Sequence, residues 1–230
     1  MNGAVPVILL SGMAADERLF APQVDAFPNL RVQPWIAPRP GESIRQYAAR
    51  LARLVNPGRP CVVGGASFGG VVALEMAWHL PALAVVLIGS VRSPAGLPRR
   101  WRMLWPVAWL GPEVLAALAA VAARLGRPLL KGGTVRRLRR LASPESAFAR
   151  WAMCALARWR PGPAAPPVPV YHIHGADDRV LPVGRGRPDV VVPAGGHALS
   201  LFSPAAVNAF LTGVVHTVTS TRLPAEAAPR

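Results

Sequence analysis

Cysteine, lysine and acidic residues are all scarce in this chain. Cys61 and Cys154 are its two cysteines, and thiols at that separation offer neither the ligand spacing of a metal site nor a disulfide framework. Both read as small buried hydrophobes in a reducing compartment. Eleven acidic residues stand against 26 basic ones, of which only Lys131 is lysine, so arginine carries nearly all of the formal net charge of +15. Charged residues amount to 16% and hydrophobic ones to 52%, which excludes disorder throughout the chain. A clean apolar run long enough to cross a membrane is also missing. The nearest, residues 103–123, is interrupted by Pro106, Gly111, Pro112 and Glu113 and reads as a pair of helices rather than a span. Residues 1–6 contain no basic segment leading into an apolar stretch, so no secretory signal is visible and the cytoplasm is the expected compartment.

The 230 residues suit one domain, 1–230, around one core. Short runs rich in Val and Ile at 5–10, 30–36, 61–65, 83–88, 168–173 and 190–192 read as strands buried on both faces. Helical patterns at 42–55, 68–80 and 204–215 alternate with them, which predicts an α/β fold with a mostly parallel, doubly wound sheet. The rhythm breaks at 91–167. That stretch holds Trp101, Trp105, Trp109, Trp151 and Trp159, and between residues 91 and 165 it has 14 basic residues against two acidic ones, a net of +12. It reads as a helical insertion within the domain. Residues 217–230 lack apolar periodicity and are expected to form a frayed tail.

Gly65-Ala66-Ser67-Phe68-Gly69 has the G-x-S-x-G pattern, directly after a predicted strand and directly before a predicted helix. A serine on so tight a turn takes strained backbone angles, and the flanking glycines let the neighbouring backbone pass. The following helix aims amide donors and positive dipole at an oxyanion formed there. A phosphate-binding loop would need a Lys-Ser/Thr pair that is absent. A serine nucleophile needs a base and an orienting acid. Asp177 and Asp178 lie just beyond the strand at 168–173, and Gly195-Gly196-His197 follows the last strand. Serine, acid, histidine is the triad order of one large hydrolase fold.

With these motifs in place, the chain resembles the small esterase-like serine hydrolases of the α/β-hydrolase fold, over residues 5–211. The resemblance implies Ser67 as nucleophile, His197 as general base and, from the H-G-x-x-D-x-x-[apolar]-P pattern that ends here at Pro182, Asp178 as the orienting acid. Asp177 is the competing carboxylate. It implies an oxyanion hole of two backbone amides, Phe68 and Met13, with Ala14 the alternative to Met13. Ser11-Gly12 stands where the family often has His-Gly. It also implies a sheet of about six strands, two edge strands fewer than the full fold, with 91–167 as a helical cap.

The expected substrate is a small-molecule acyl ester, cleaved without a cofactor. His172 and His174 share a face of their strand with no third ligand near in sequence, so no metal site is expected. Trp101, Trp105 and Trp109, spaced by four, read as a packing face with Trp105 in an acyl-binding wall. Arg136-Arg137-Leu138-Arg139-Arg140 has no nucleic-acid module around it, so no nucleic-acid partner is expected. A weak contact of the basic cap with anionic membrane is the remaining partner expectation. Rival functions are a thioesterase, amidase or carbon-carbon bond hydrolase on the same triad, and a silent binding or membrane-surface protein.

Overall fold

The computed structural model describes residues 4–13, 15–98, 145–160 and 166–222. Six strands, β1 (Val7–Leu10), β2 (Leu30–Val32), β3 (Cys61–Ala66), β4 (Ala82–Ile88), β5 (Val170–Gly175) and β6 (Val190–Val192), form one sheet in the order β2-β1-β3-β4-β5-β6. Every pairing is parallel, so the expected mostly parallel sheet is wholly parallel among the described residues. β2 is shorter than the run at 30–36 because Pro34 has no N–H to donate to a ladder. The segment beyond it is held instead by the Tyr47 hydroxyl, which accepts from the Ile36 amide at 3.0 Å and donates to its carbonyl at 2.9 Å.

Alternate side chains of the central strands go to opposite faces. Ile8, Leu10, Val63, Val85 and Leu87 pack under α2 (Ile44–Val55), α3 (Phe68–Met76) and α4 (Glu145–Arg158). Val7, Leu9, Val62, Val86 and Ile88 pack with residues of α6 (Pro204–Arg222), while α1 (Ala21–Ala26) and the short α5 (Leu199–Phe202) contact α6. α2 begins at a capping box, Ser43 accepting from the Gln46 amide while the Gln46 side chain accepts from the Ser43 amide. Its apolar residues Ile44, Tyr47, Ala48, Leu51, Ala52 and Val55 then recur at helical spacing and are buried.

α6 runs to Arg222, six residues into the tail expected to fray. Val207, Leu211, Val214 and Val218 keep one buried stripe at spacings of four, three and four. Threonines are weak helix formers, which hid this helix, but Thr217, Thr219 and Thr221 donate their hydroxyls to the carbonyls four residues back. Residues 223–230 lie outside the described residues.

The chain leaves the sheet after β4 and re-enters at β5, so the cap insertion falls between those strands. Its described helix, α4, buries Ala152, Ala155 and Leu156 against the α2/α3 face. Trp159 Nε1 donates to Glu75 Oε1 at 2.8 Å and Arg45 reaches Glu75 Oε2 at 3.3 Å, which ties α4, α3 and α2 at one buried carboxylate. The expectations for 99–144, including the broken apolar run, Trp105 and the arginine cluster, lie outside the described residues. No helix among the described residues is long and apolar enough to cross a membrane.

Candidate active site

β2 lies on one side of β1 and β3 on the other. At such a reversal the connections leave in opposite directions and a crevice opens at the carboxyl ends of the two strands. Ser67 stands at the end of β3 in that crevice, with φ 52° and ψ −119°. A non-glycine residue there costs on the order of 1–3 kcal/mol and persists only when its surroundings over-determine it. They do: the Ser67 amide donates to Ile88 O at 3.0 Å, and its carbonyl accepts from the Gly70 amide at 3.1 Å and from Ser90 Oγ at 2.6 Å. A Cβ on Gly65 would come within 2.6 Å of Leu10 O, and one on Gly69 would overlap the Leu10 and Ser11 carbonyls. Both glycines of the motif are therefore required by close packing on the β1 loop.

His197 Nε2 is 3.0 Å from Ser67 Oγ, and His197 Nδ1 is 2.7 Å from Asp178 Oδ2. The two loops that carry them are stitched together. The Asp177 amide donates to Gly195 O at 2.9 Å and the Ala176 amide to Val192 O at 3.0 Å, while a Cβ on Gly175 would meet the Gly195 backbone. Asp178 is buried and Asp177 exposed. Asp178 Oδ1 accepts from the amides of Val180 (2.8 Å) and Leu181 (2.9 Å). Burial opposes ionisation of Asp178, but hydrogen bonds from His174, His197 and the Leu181 amide outweigh it and hold the carboxyl well below the usual carboxylate range. An ionised Asp178 makes His197 Nδ1 the protonated nitrogen, leaving Nε2 free to accept the Ser67 proton.

Behind the acid lies a second, fully buried pair. His174 Nε2 is 2.7 Å from Leu181 O and 3.3 Å from Asp178 Oδ2. Both partners only accept, so Nε2 carries the proton, and His174 Nδ1 accepts from His172 Nε2 at 3.0 Å. Burial, then His174, then Arg92 push the His172 imidazole down to about 4 from its ordinary 6.5. A group depressed on folding stays neutral in the native protein while the unfolded chain takes up a proton, so stability is lost as pH falls from 6.5 towards about 4. At roughly 1.4 kcal/mol per pKa unit, this share is at most about 3 kcal/mol. His172→Gln is expected to remove it. Urea midpoints of the variant should fall less steeply than wild type over that interval, whereas parallel curves would contradict the assignment.

A cavity of about 330 Å³ opens over Ser67 and His197. Its described walls include Met13, Leu19, Val71, Leu97, Leu156 and Leu181, with no Asp, Glu, Lys or Arg among the described lining residues. Met13 and Phe68 both line it, and the amide of neither donates to another group among the described residues. Ala14, the alternative to Met13, lies outside the described residues, as does Trp105. Leu19, Leu97, Leu156 and Ser90 were not legible as site residues, because each is one unremarkable apolar or polar side chain brought in by its element. Cys61 is buried in β3, and burial pushes its thiol up to about 11, which keeps it protonated and unreactive. Among the described residues no three of His, Cys, Asp or Glu are placed to hold a metal ion.

Residues 7–210 match the family model described as the alpha/beta hydrolase family. The chain belongs to that family. No curated protein sequence is significantly similar to it. Among solved structures, a thermophilic esterase from Thermogutta terrifontis is 20% identical with a TM-score of 0.61, the match covering 93% of this chain and 90% of that one. MenH from S. aureus is 15% identical (TM-score 0.61, 95% and 96% covered). Est816, an N-acyl homoserine lactone degrading enzyme, is 17% identical (TM-score 0.60, 92% and 93% covered). At these identities the likeness establishes the α/β-hydrolase fold, here with six strands and an insertion between β4 and β5, and does not select a reaction.

Proposed function

We propose that this alpha/beta hydrolase cleaves carboxylic esters of uncharged, apolar acyl groups through an acyl-enzyme on Ser67. The observation that carries this reading is the continuous string from Ser67 Oγ through His197 to buried Asp178, opening on an apolar cavity. His197 Nε2 takes the Ser67 proton as Oγ attacks the ester carbonyl. Asp178 keeps the proton on Nδ1 and stabilises the imidazolium. The Met13 and Phe68 amides receive the oxyanion. The imidazolium then protonates the departing alkoxide, and His197 activates water to release the acid and restore Ser67.

The apolar walls bear on the acyl group. Each methylene moved from water into such a wall contributes about 0.8 kcal/mol, which is roughly a fourfold gain in kcat/KM if it is realised in the transition state. Across p-nitrophenyl esters from acetate upward, kcat/KM should climb by about that factor per methylene until the cavity is filled, then level off. A succinyl half-ester of matched length should be poorer, since its carboxylate meets no described cation in the lining. Thioesters of the same acids, measured in parallel, separate an esterase from a thioesterase. Failure of every ester to turn over, with Ser67 intact, would favour a silent binding protein on this fold.

A further inference from the structure

Trp35 belongs to no motif, lies beyond β2 and is not one of the residues that border the cavity. Its indole Nε1 nevertheless donates to the carbonyl of Gly12 at 3.3 Å. The same carbonyl accepts from the Ala15 amide at 3.2 Å. We infer that Trp35 is a positioning residue of the oxyanion hole, its indole N–H fixing the Gly12–Met13 peptide so that the Met13 amide faces the space over Ser67. This rests on the reading of Met13 and Phe68 as the oxyanion donors.

A trans peptide is planar, with the C=O of one residue and the N–H of the next pointing in opposite directions, and no peptide bond among the described residues is cis. Two donors hold the Gly12 carbonyl on one side. The Met13 N–H therefore points to the other, and it meets no acceptor there among the described residues. Gly12 itself is against the nucleophile: a Cβ built on it would stand 3.7 Å from Ser67 Cβ. Where the family often has a His-Gly pair, this chain has Ser11-Gly12, and the Ser11 hydroxyl is spent on the Ala15 carbonyl at 2.8 Å. The indole is thus the side-chain donor that orients this peptide.

What seats Trp35 also matters. Its ring lies 5.7 Å from that of Phe68, whose amide is the second oxyanion donor, and 4.8 Å from that of Phe148 on α4. Trp151, one turn further along α4, donates Nε1 to Glu42 O at 2.7 Å and packs 4.4 Å from Tyr47. Docking of the cap helix and aim of the Met13 amide therefore meet at one side chain.

The test is Trp35→Phe, which keeps a ring and removes the donor. A second variant places β-(3-benzothienyl)alanine at position 35, so that sulfur replaces N–H with the bicyclic shape retained. Deleting an oxyanion donor outright costs about 10²–10³-fold in kcat. Misdirecting one should cost less, about 10- to 100-fold, with KM changed by less than about threefold because the ground-state carbonyl makes little use of the amide. Affinity for an alkylboronic acid, which forms a tetrahedral adduct on Ser67, should fall in step with kcat, while binding of the matching alkyl amide should not change. A purely structural role would move thermal stability and KM and leave the boronate-to-amide ratio alone; that result would overturn the inference, as would an unaltered kcat in the benzothienyl variant. Wild-type turnover of the ester is scored first. Its absence would sink the reading of the site, whereas normal turnover in both wild type and variants would sink the positioning role alone.

Discussion

Ser67→Ala is expected to lower kcat on esters by on the order of 10⁵–10⁶-fold, with the fold intact. In the proposed mechanism the loss is this large because nucleophile and base act as a unit, so removing one forfeits what both supply. Among the described residues the nearby serines offer the string Ser67–His197–Asp178 no substitute: Ser90 Oγ is spent on the Ser67 carbonyl and Ser11 Oγ on Ala15. A fluorophosphonate should therefore add once to the wild type, at Ser67, and intact-mass measurement should find no adduct on the variant. Labelling that survives the substitution would place the nucleophile elsewhere. A companion variant reads the strain itself. Ser67→Gly meets φ 52° without a Cβ penalty, so it should gain roughly 1 kcal/mol of stability as activity vanishes. Equal denaturation midpoints for wild type, Ser67→Ala and Ser67→Gly would show that the turn stores no such energy.

Asp178→Asn is expected to lower kcat by about 10⁴-fold, against at most about twofold for Asp177→Asn, an exposed site away from the hydrogen-bonded string. The reason lies in donor counts. Asp178 Oδ1 already accepts from two amides, so an asparagine would keep its oxygen there and turn its NH2 towards His197 Nδ1 and His174 Nε2. An NH2 opposite the His197 Nδ1–H is two donors face to face, and the imidazole escapes by moving its proton to Nε2, where it can no longer take the Ser67 proton. With a neutral residue at 178 the imidazolium formed as Ser67 attacks also loses its counter-charge, which adds to the loss of kcat. A ranking in which Asp177→Asn is the more damaging change would transfer the orienting role to Asp177.

Much of this was legible before any coordinates, because the signals are local. Strands buried on both faces read as unbroken Val and Ile runs, and five of the six observed strands lie within two residues of those runs at each end, although Val190 and Val191 of β6 are exposed because β6 is an edge strand. The G-x-S-x-G pattern is legible because only glycine tolerates the approach of β1 carbonyls at Gly65 and Gly69. Where local propensity and tertiary burial disagree, the sequence misled: the threonine-rich end of α6 reads as a tail and is a helix, since burial of Val214 and Val218 decides against propensity.

By itself, then, the sequence determined the parallel α/β alternation, the position of the insertion and the order serine, acid, histidine, all of which depend on residue type and spacing along the chain. Which of two adjacent carboxylates faces His197 was decided only in three dimensions, by a turn that puts Asp178 under the amides of Val180 and Leu181 and leaves Asp177 in solvent. The burial of His172 and His174 behind that carboxylate, the hold of Ser90 on the strained Ser67 and the reach of Trp35 to Gly12 were decided there too. Each joins residues from different elements through hydrogen bonds whose direction depends on how those elements pack, and packing leaves no trace in the spacing of the residues it brings together.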